Sequence, residues 1–193
     1  MSGKEQLVIG CYTAGDYERE ANEHLLASVK ELGLPYDIRE IPNRGSWVLN
    51  NSACQIFVRR MHDEHPNADL LYIDVDGHVR SNPWGLLGQL ECDVACYILD
   101  GRELLSGTVF LPAGPRRCEL LTRWIDRNRQ LPNIWDQVNL QWILHADPTF
   151  RFINLPAEYC CIFDLQRKRT PDIVPVIEHF QASRRYKKKV QKA

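Results

Sequence analysis

Residues 70–76 read Leu70-Leu71-Tyr72-Ile73-Asp74-Val75-Asp76, an apolar run that ends in two carboxylates separated by one residue. The run has the length and composition of a buried β-strand. Because uncompensated charge is costly to bury, both carboxylates should emerge at the C-terminal end of this strand, where open α/β sheets bind their ligands. Paired carboxylates suit Mg²⁺ or Mn²⁺, with phosphates often completing the coordination shell. The simpler interpretation is that one Asp caps the next element and the other faces solvent.

The elements around this strand predict an α/β domain. Apolar patterns indicate strands at 7–12 and 36–41, and helices at 18–32 and 48–62, before the strand at 70–76. This β-α-β-α-β order is typical of a mostly parallel, twisted sheet with helices on both faces. Further strands are expected at 93–99, 107–111, 150–155 and 159–163, and further helices at 116–129 and 136–145. We therefore expect one domain over residues 1–183, followed by a basic tail at 184–193.

Composition narrows the class of protein. The chain has 193 residues, 44% hydrophobic and 25% charged, with a formal net charge of −1, as in ordinary soluble domains. Its seven cysteines form no C-x-x-C pair, so their spacing supports neither a zinc ribbon nor a thioredoxin site. The sequence shows neither a signal peptide nor an apolar stretch long enough to span a membrane, so a cytoplasmic location is expected.

Glycine-rich phosphate motifs are absent from the sequence. Neither G-x-G-x-x-G nor G-x-x-x-x-G-K-[ST] follows the first strand, which argues against a dinucleotide-binding fold and a P-loop enzyme. Any bound phosphates would therefore be held by a metal ion and by basic side chains.

Asp74-Val75-Asp76, placed after two β-α units, resembles the D-x-D motif of nucleotide-sugar glycosyltransferases of the GT-A fold. The resemblance implies that Asp74 and Asp76 bind Mn²⁺ or Mg²⁺, which would bridge the two phosphates of a nucleoside-diphosphate sugar donor. A Lewis acid is needed there because the departing nucleoside diphosphate gains negative charge as the glycosidic bond breaks.

Two later segments extend the resemblance. Ser106-Gly107-Thr108 is similar to the family's small-residue turn beside the sugar, where glycine lets the backbone approach the donor. Trp135-Asp136-Gln137-Val138-Asn139-Leu140 resembles the D-Q segment of retaining sugar transferases, which implies that Asp136 and Gln137 face the sugar. The simpler interpretations are a plain turn for the first segment and a helix N-cap for Asp136.

The segment Ile177-Glu178-His179-Phe180-Gln181-Ala182-Ser183-Arg184-Arg185 is similar to the family's late H-F-x-G-x-x-K motif. By that resemblance His179 is a third metal ligand, and Arg184, Arg185 or Lys187 neutralises the diphosphate. Ala182 replaces the usual Gly and Arg replaces Lys. The alternative is that His179 is a structural residue.

The family's fold also cradles the base and ribose in the loop after its first strand. Thr13, Asp16 and Tyr17 occupy that loop here. Trp47 and Asn51 lie in a stretch that approaches the nucleotide in related enzymes. The simpler alternatives are a surface position for Tyr17 and a core position for Trp47.

The expected function is a metal-dependent transfer of a hexosyl or pentosyl group from a nucleoside-diphosphate sugar to a hydroxyl acceptor. The six basic residues of 184–192 make nucleic acid, such as a hydroxylated DNA base, one candidate acceptor beside glycans, lipids and proteins. The D-Q segment favours retention of configuration, whereas an inverting reaction would need a base, for which Asp136 is the first candidate.

Two alternatives stay open. Ile73-Asp74-Val75-Asp76-Gly77 is also similar to the D-x-D-G motif of haloacid-dehalogenase-type phosphatases, in which Asp74 would be the nucleophile. The chain departs from that family at His78, where Thr is usual, and in lacking a later acidic pair. The second alternative is a module that binds a nucleotide sugar without catalysis.

Overall fold

The computed structural model describes residues 4–190, apart from the side chains at 47, 48, 51 and 187–190. Its first half contains the predicted alternation of strands and helices. In order these are β1 (Gln6–Tyr12), α1 (Asp16–Glu20), a π-helical turn (Ala21–Leu25), α2 (Leu26–Glu31), β2 (Tyr36–Glu40), α3 (Trp47–Glu64) and β3 (Asp69–Ile73). The strand at the D-x-D motif thus ends at Ile73, and both aspartates follow it.

The second half adds shorter elements. These are β4 (Gly77–Val79), α4 (Trp84–Leu87), β5 (Val94–Leu99), β6 (Glu103–Leu111), α5 (Pro115–Gln130), α6 (Asp136–Ala146), β7 (Phe152–Asn154), a 3-10 turn (Ala157–Cys160), β8 (Cys161–Ile162), α7 (Leu165–Arg169), β9 (Ile177–His179) and α8 (Ala182–Val190). The expected strand at 159–163 is therefore only partly present. After Pro156 the chain turns, with the N–H of Tyr159 bonded to the Pro156 carbonyl, and only two residues remain extended. Most of the predicted tail, residues 184–190, belongs to helix α8.

The central sheet has six strands in the order β2-β1-β3-β6-β5-β7. Three of its neighbouring pairs, β1–β2, β1–β3 and β5–β7, are parallel, and β6 runs antiparallel to both β3 and β5. Ile73 pairs with Thr108, so the D-x-D motif leaves the sheet directly beside the predicted Ser106-Gly107-Thr108 turn. The three residues lie inside β6, which contains the expected strand at 107–111 and begins earlier, at Glu103.

The sheet buries both faces, as its apolar strands require. In β1, Leu7, Ile9 and Cys11 pack into a core beneath α3, α5 and α6. Val8 points the other way, into a second core with Leu25 and Val29. This arrangement confirms an α/β domain with helices on both faces. Among residues 4–190 no helix is long and apolar enough to cross a membrane, and the seven cysteines carry free thiols.

A three-stranded sheet, β4-β9-β8, lies next to the D-x-D motif. Gly77 of β4 pairs with His179 of β9. Glu178, the neighbour of His179, is buried and accepts paired hydrogen bonds from Arg80 and Arg167 at 2.7–3.0 Å. These contacts fix β9, so a residue from near the end of the chain is brought to the motif at residues 74–76.

Candidate active site

A cavity of about 400 Å³ opens where β1 and β3 end. Ten of the residues singled out in the sequence line it: Thr13, Tyr17, Asp74, Asp76, Ser106, Gly107, Asp136, Gln137, His179 and Arg184. The cavity therefore collects residues from five separate stretches of the chain, at the end of the sheet where ligands are expected.

Asp74 and Asp76 are held by a tight turn at the bottom of this cavity. The N–H of Asp74 donates to the Gly107 carbonyl at 2.8 Å, and the N–H of Gly77 donates to the Asp74 carbonyl at 2.7 Å. The Asp74 side chain is exposed to the cavity, where its Oδ1 accepts a hydrogen bond of 2.9 Å from the Tyr72 hydroxyl. Asp76 is buried.

Asp76 and His179 face each other. Nδ1 of His179 lies 3.5 Å from Oδ1 of Asp76, and Nε2 lies 2.8 Å from Oγ1 of Thr108. The other Asp76 oxygen, Oδ2, accepts a hydrogen bond of 2.6 Å from the N–H of Ala182, at the start of α8. With an ion bound, Nε2–H would donate to Thr108 and leave the Nδ1 lone pair for the metal, the arrangement found around metal-ligating histidines.

The pKa values of the Asp74 and Asp76 carboxyl groups are shifted in opposite directions. Asp74 meets solvent only inside the cavity, and protein surrounds its carboxyl group on the other sides. This loss of hydration, together with the negative charge of Asp76, raises the pKa of Asp74 to about 7. Desolvation acts in the same direction on Asp76, but His179 and the Ala182 N–H outweigh it and lower the pKa of Asp76. Desolvation lowers the pKa of His179, but Cys160 and Asp76 outweigh it and raise that pKa well above its ordinary value.

The donor set fits a divalent cation. Two carboxylates and an imidazole are ligands that Mn²⁺ accepts, and carboxylates suit Mg²⁺. Gly107 leaves space between two of these groups, because a Cβ added there would lie 3.2 Å from Cε1 of His179 and 3.4 Å from Oδ2 of Asp74. Asp74, Asp76 and His179 are therefore the residues of this cavity that could hold the ion.

A second group of possible ligands, Asp37, Glu64 and His65, lies outside the cavity. Arg39 contacts both carboxylates, at 2.6 Å to Asp37 and 2.7 Å to Glu64, and Arg60 pairs with Glu64 at 2.6 Å, so two cations balance the two acids. This group is accounted for as an ion-pair network.

Asp136 and Gln137, at the start of α6, are each fixed by a neighbour. Oδ2 of Asp136 accepts hydrogen bonds from Nε2 of Gln55 at 3.0 Å and from Oγ of Ser106 at 3.1 Å. Nε2 of Gln137 donates to Oε1 of Glu103 at 2.7 Å. The D-Q pair is thus positioned on the cavity wall before any ligand binds.

Of the other predicted site residues that the structure describes, Arg185, Thr108 and Asp16 do not line the cavity. Arg184 lines it while paired with Asp164 at 2.9 Å. Arg185 donates to both oxygens of Glu20 at 2.6 Å and is not a lining residue. Thr108 is fully buried behind His179, and Asp16 lies 3.4 Å from Arg19; neither lines the cavity. The side chains of Trp47, Asn51 and Lys187 are outside the described part of the chain.

Several lining residues were not predicted as site residues. They include Tyr72, Glu103, Cys11, Cys54 and Cys160, and Gln55 lies directly behind Asp136. Strand alternation could have identified Tyr72, because it shares a side of the chain with Asp74. Gln55 gave no comparable signal, since its partner is on another helix.

Comparisons with models of known protein families and with curated proteins find no match. Comparison with solved structures finds many. A glycosyltransferase involved in the glycosylation of the major capsid of PBCV-1 superposes with a TM-score of 0.67 at 14% identity, over 92% of this chain and 93% of that one.

Two further solved structures agree. Apo-form GlyE of Streptococcus pneumoniae TIGR4 gives a TM-score of 0.62 at 14% identity, and its match covers 91% of this chain but 54% of GlyE. The galactosyltransferase LgtC, solved with donor and acceptor sugar analogs, gives 0.59 at 12% identity, over 91% of this chain and 87% of LgtC. At these identities the likeness is one of fold, and the fold of this chain is that of GT-A-like glycosyltransferases.

Proposed function

We propose that this protein is a metal-dependent glycosyltransferase that takes a nucleoside-diphosphate sugar as donor. One observation carries the proposal: Asp76 and His179 lie 3.5 Å apart, and both line the same cavity as Asp74 in a GT-A-like fold. The solved neighbours support it, since LgtC is a galactosyltransferase that was crystallised with donor and acceptor sugar analogs.

In this proposal Asp74, Asp76 and His179 hold Mn²⁺ or Mg²⁺. When bound, the ion neutralises the charge that builds up on the departing diphosphate. Of the predicted basic residues whose side chains the structure describes, Arg184 is the better placed for a phosphate oxygen, because it lines the cavity and Arg185 does not. Thr13 and Tyr17 line the cavity near the end of β1, where they can contact the nucleoside.

The reaction breaks the bond between the anomeric carbon and the diphosphate oxygen, which keeps the electron pair. A bond forms between that carbon and the oxygen of the acceptor hydroxyl, which loses its proton. In a retaining transfer the departing diphosphate can take this proton. In an inverting transfer the proton needs a base, and the Asp136 carboxylate is the candidate on the cavity wall. The transferred group is a hexosyl or pentosyl unit.

The direct test is a thermal-shift titration with Mn²⁺ and a panel of nucleotide sugars, followed by donor hydrolysis and transfer assays. We expect a stabilising shift with one donor that requires the metal, and its loss in Asp76→Asn. Asp126→Asn is the matched control, because Asp126 is an exposed residue of α5 that does not line the cavity. Wild-type activity in Asp76→Asn with metal present would contradict the metal assignment.

The same assays separate the alternatives. A haloacid-dehalogenase-like phosphatase with Asp74 as nucleophile would hydrolyse p-nitrophenyl phosphate with Mg²⁺ and show no shift with nucleotide sugars. A non-catalytic module would show the metal-dependent shift and no turnover of the donor.

A further inference from the structure

The outer face of α6 carries an exposed apolar stripe. Val138 and Trp142, on the helix, are 46% and 52% exposed at a spacing that places them on one side, and Trp135, the extended cap residue just before the helix, is 53% exposed. The opposite side of α6 is buried through Leu140 and Ile143. The helix is therefore apolar on two sides, although only one of them packs against the core.

This stripe begins inside the candidate active site. Trp135 lines the cavity together with Asp136 and Gln137, and the stripe then continues outward along the helix. From Trp135 to Trp142 it extends about 10 Å at the rise of an α-helix. A molecule that lies on the stripe would have one end at the D-Q pair.

Trp142 is held in place despite its exposure. The guanidinium carbon of Arg127, on α5, lies 3.5 Å from the centroid of the Trp142 ring. Such stacking fixes the ring plane before a ligand arrives, which lowers the entropy lost on binding.

The charges around the stripe favour a neutral ligand. The charged groups that meet the stripe are of both signs: Arg127 stacks on Trp142 at one end, and Asp136 and Glu103 line the cavity at the other, while α6 itself contains no Lys or Arg. A nucleic acid needs basic side chains along its phosphates, and an interfacial membrane helix carries Lys or Arg on its polar face. A specific protein interface uses about 20–30 residues a side, far more than this stripe offers.

We propose that the stripe Trp135–Val138–Trp142 binds the acceptor, and that the acceptor is an uncharged glycan chain. Sugar rings present apolar C–H faces that pack on indole rings, while their hydroxyl edges suit the polar groups of Gln137 and Glu103 at the cavity mouth. This inference rests on the proposed glycosyltransferase function and names the acceptor class for the same site.

The test uses the full chain with the donor and metal identified by thermal shift. Wild type, Trp142→Ala and Val138→Lys are compared in two assays: donor hydrolysis without acceptor, and transfer to an array of neutral glycans. Tyr36→Ala is the matched control, because Tyr36 is an exposed aromatic residue on edge strand β2, away from the cavity.

We expect both stripe variants to keep donor hydrolysis within about twofold of wild type and to raise the acceptor KM at least tenfold, while Tyr36→Ala changes neither. Unchanged transfer in both variants would overturn the inference. So would a wild type that hydrolyses donor but uses no neutral glycan, a wild type that glycosylates single-stranded DNA, or a wild type that binds phosphatidylglycerol vesicles and loses that binding in Trp142→Ala. A wild type that shows no metal-dependent donor binding would instead contradict the proposed function.

Discussion

Gln55 donates a hydrogen bond of 3.0 Å from its Nε2 to Oδ2 of Asp136, although the Gln55 side chain is only 2% exposed. A buried amide that points at a cavity-lining carboxylate fixes its rotamer and stabilises its charge. Gln55 is therefore a positioning residue for Asp136 in the proposed reaction.

Replacing Gln55 by Leu should lower kcat about tenfold, since one hydrogen bond of roughly 1–1.5 kcal/mol is lost, and should leave the donor KM within about twofold.

Gln55→Glu should move the acidic limb of the pH–rate profile to higher pH, because a second carboxylate beside Asp136 raises its pKa. Steady-state kinetics from pH 5 to 9 measure both effects. Gln130→Leu, at the exposed end of α5, is the control. An unshifted profile in Gln55→Glu would contradict the positioning role.

Metal affinity should rise with pH. The pKa of Asp74 is raised to about 7 and that of His179 is raised above its ordinary value, so both groups carry protons near neutrality when no ion is bound. A cation binds the deprotonated forms, and each proton released makes the apparent affinity rise by about tenfold per pH unit below the pKa concerned. Calorimetric titration with Mn²⁺ at pH 6, 7 and 8, in buffers with different ionisation enthalpies, measures the proton release. An affinity that does not change over this range would contradict the ligand assignment.

Gly107→Ala should weaken metal binding while the protein stays folded. The added Cβ would lie 3.2 Å from His179 and 3.4 Å from Asp74, two of the proposed ligands. The backbone of Gly107 is not in the left-handed region, so alanine adds no backbone strain there. We expect at least a tenfold loss of Mn²⁺ affinity by thermal shift or calorimetry.

Gly85→Ala is the matched control for this change. A Cβ at Gly85, in α4, meets no atom within 4 Å, so the variant should keep full metal affinity. It should also be slightly more stable, by about 0.5–1 kcal/mol, because alanine loses less backbone entropy than glycine. Equal metal affinity in the two variants would show that the space at Gly107 is not part of the site.

Glu178→Gln should lower stability because Glu178 is buried between Arg80 and Arg167. Desolvation raises the pKa of Glu178, but the two arginines outweigh it and lower that pKa. A carboxyl with a lowered folded-state pKa contributes stability above its unfolded pKa and loses that contribution as pH falls through the folded pKa.

The expected loss in Glu178→Gln is therefore about 1–3 kcal/mol at pH 7, by analogy with hydrogen bonds to charged groups. It should shrink as the pH falls below the ordinary glutamate value of 4.5. Urea melts at several pH values measure it. Glu119→Gln, at an exposed ion pair on α5, should cost less than about 0.5 kcal/mol. A cost that is the same at pH 7 and pH 3 would contradict the electrostatic explanation.

The periodic elements could be predicted from the sequence, and the short ones could not. Helix α5 and strand β1 follow from apolar spacing, and the position of Asp74 follows from the cost of burying charge. Strands β4 and β9 have three residues each, too few for a period, and they form only because they pair with each other. The pairing of β4 with β9 brings His179 close to Asp76. From the sequence, this proximity could be predicted only through the family resemblance.

The basic residues near the C-terminus show the limit of reasoning from charge. Composition indicated a solvated tail and possible phosphate contacts, but Arg185 is paired with buried Glu20, from helix α1. Local sequence cannot reveal that Arg185 pairs with Glu20, because the two residues are far apart along the chain and meet only when it folds. Gln55 and Asp136 are a second case of this kind.

The hydrogen bond from the Ala182 N–H to Asp76 has a reciprocal consequence. If an ion bound at Asp76 steadies α8 against the domain, then by thermodynamic linkage the docked helix must strengthen ion binding by the same factor. The amide hydrogens of 182–190 would then exchange more slowly with solvent deuterium when the ion is present. A bulky label on α8 that hinders its docking would therefore lower the affinity for the ion, although the label itself lies outside the cavity.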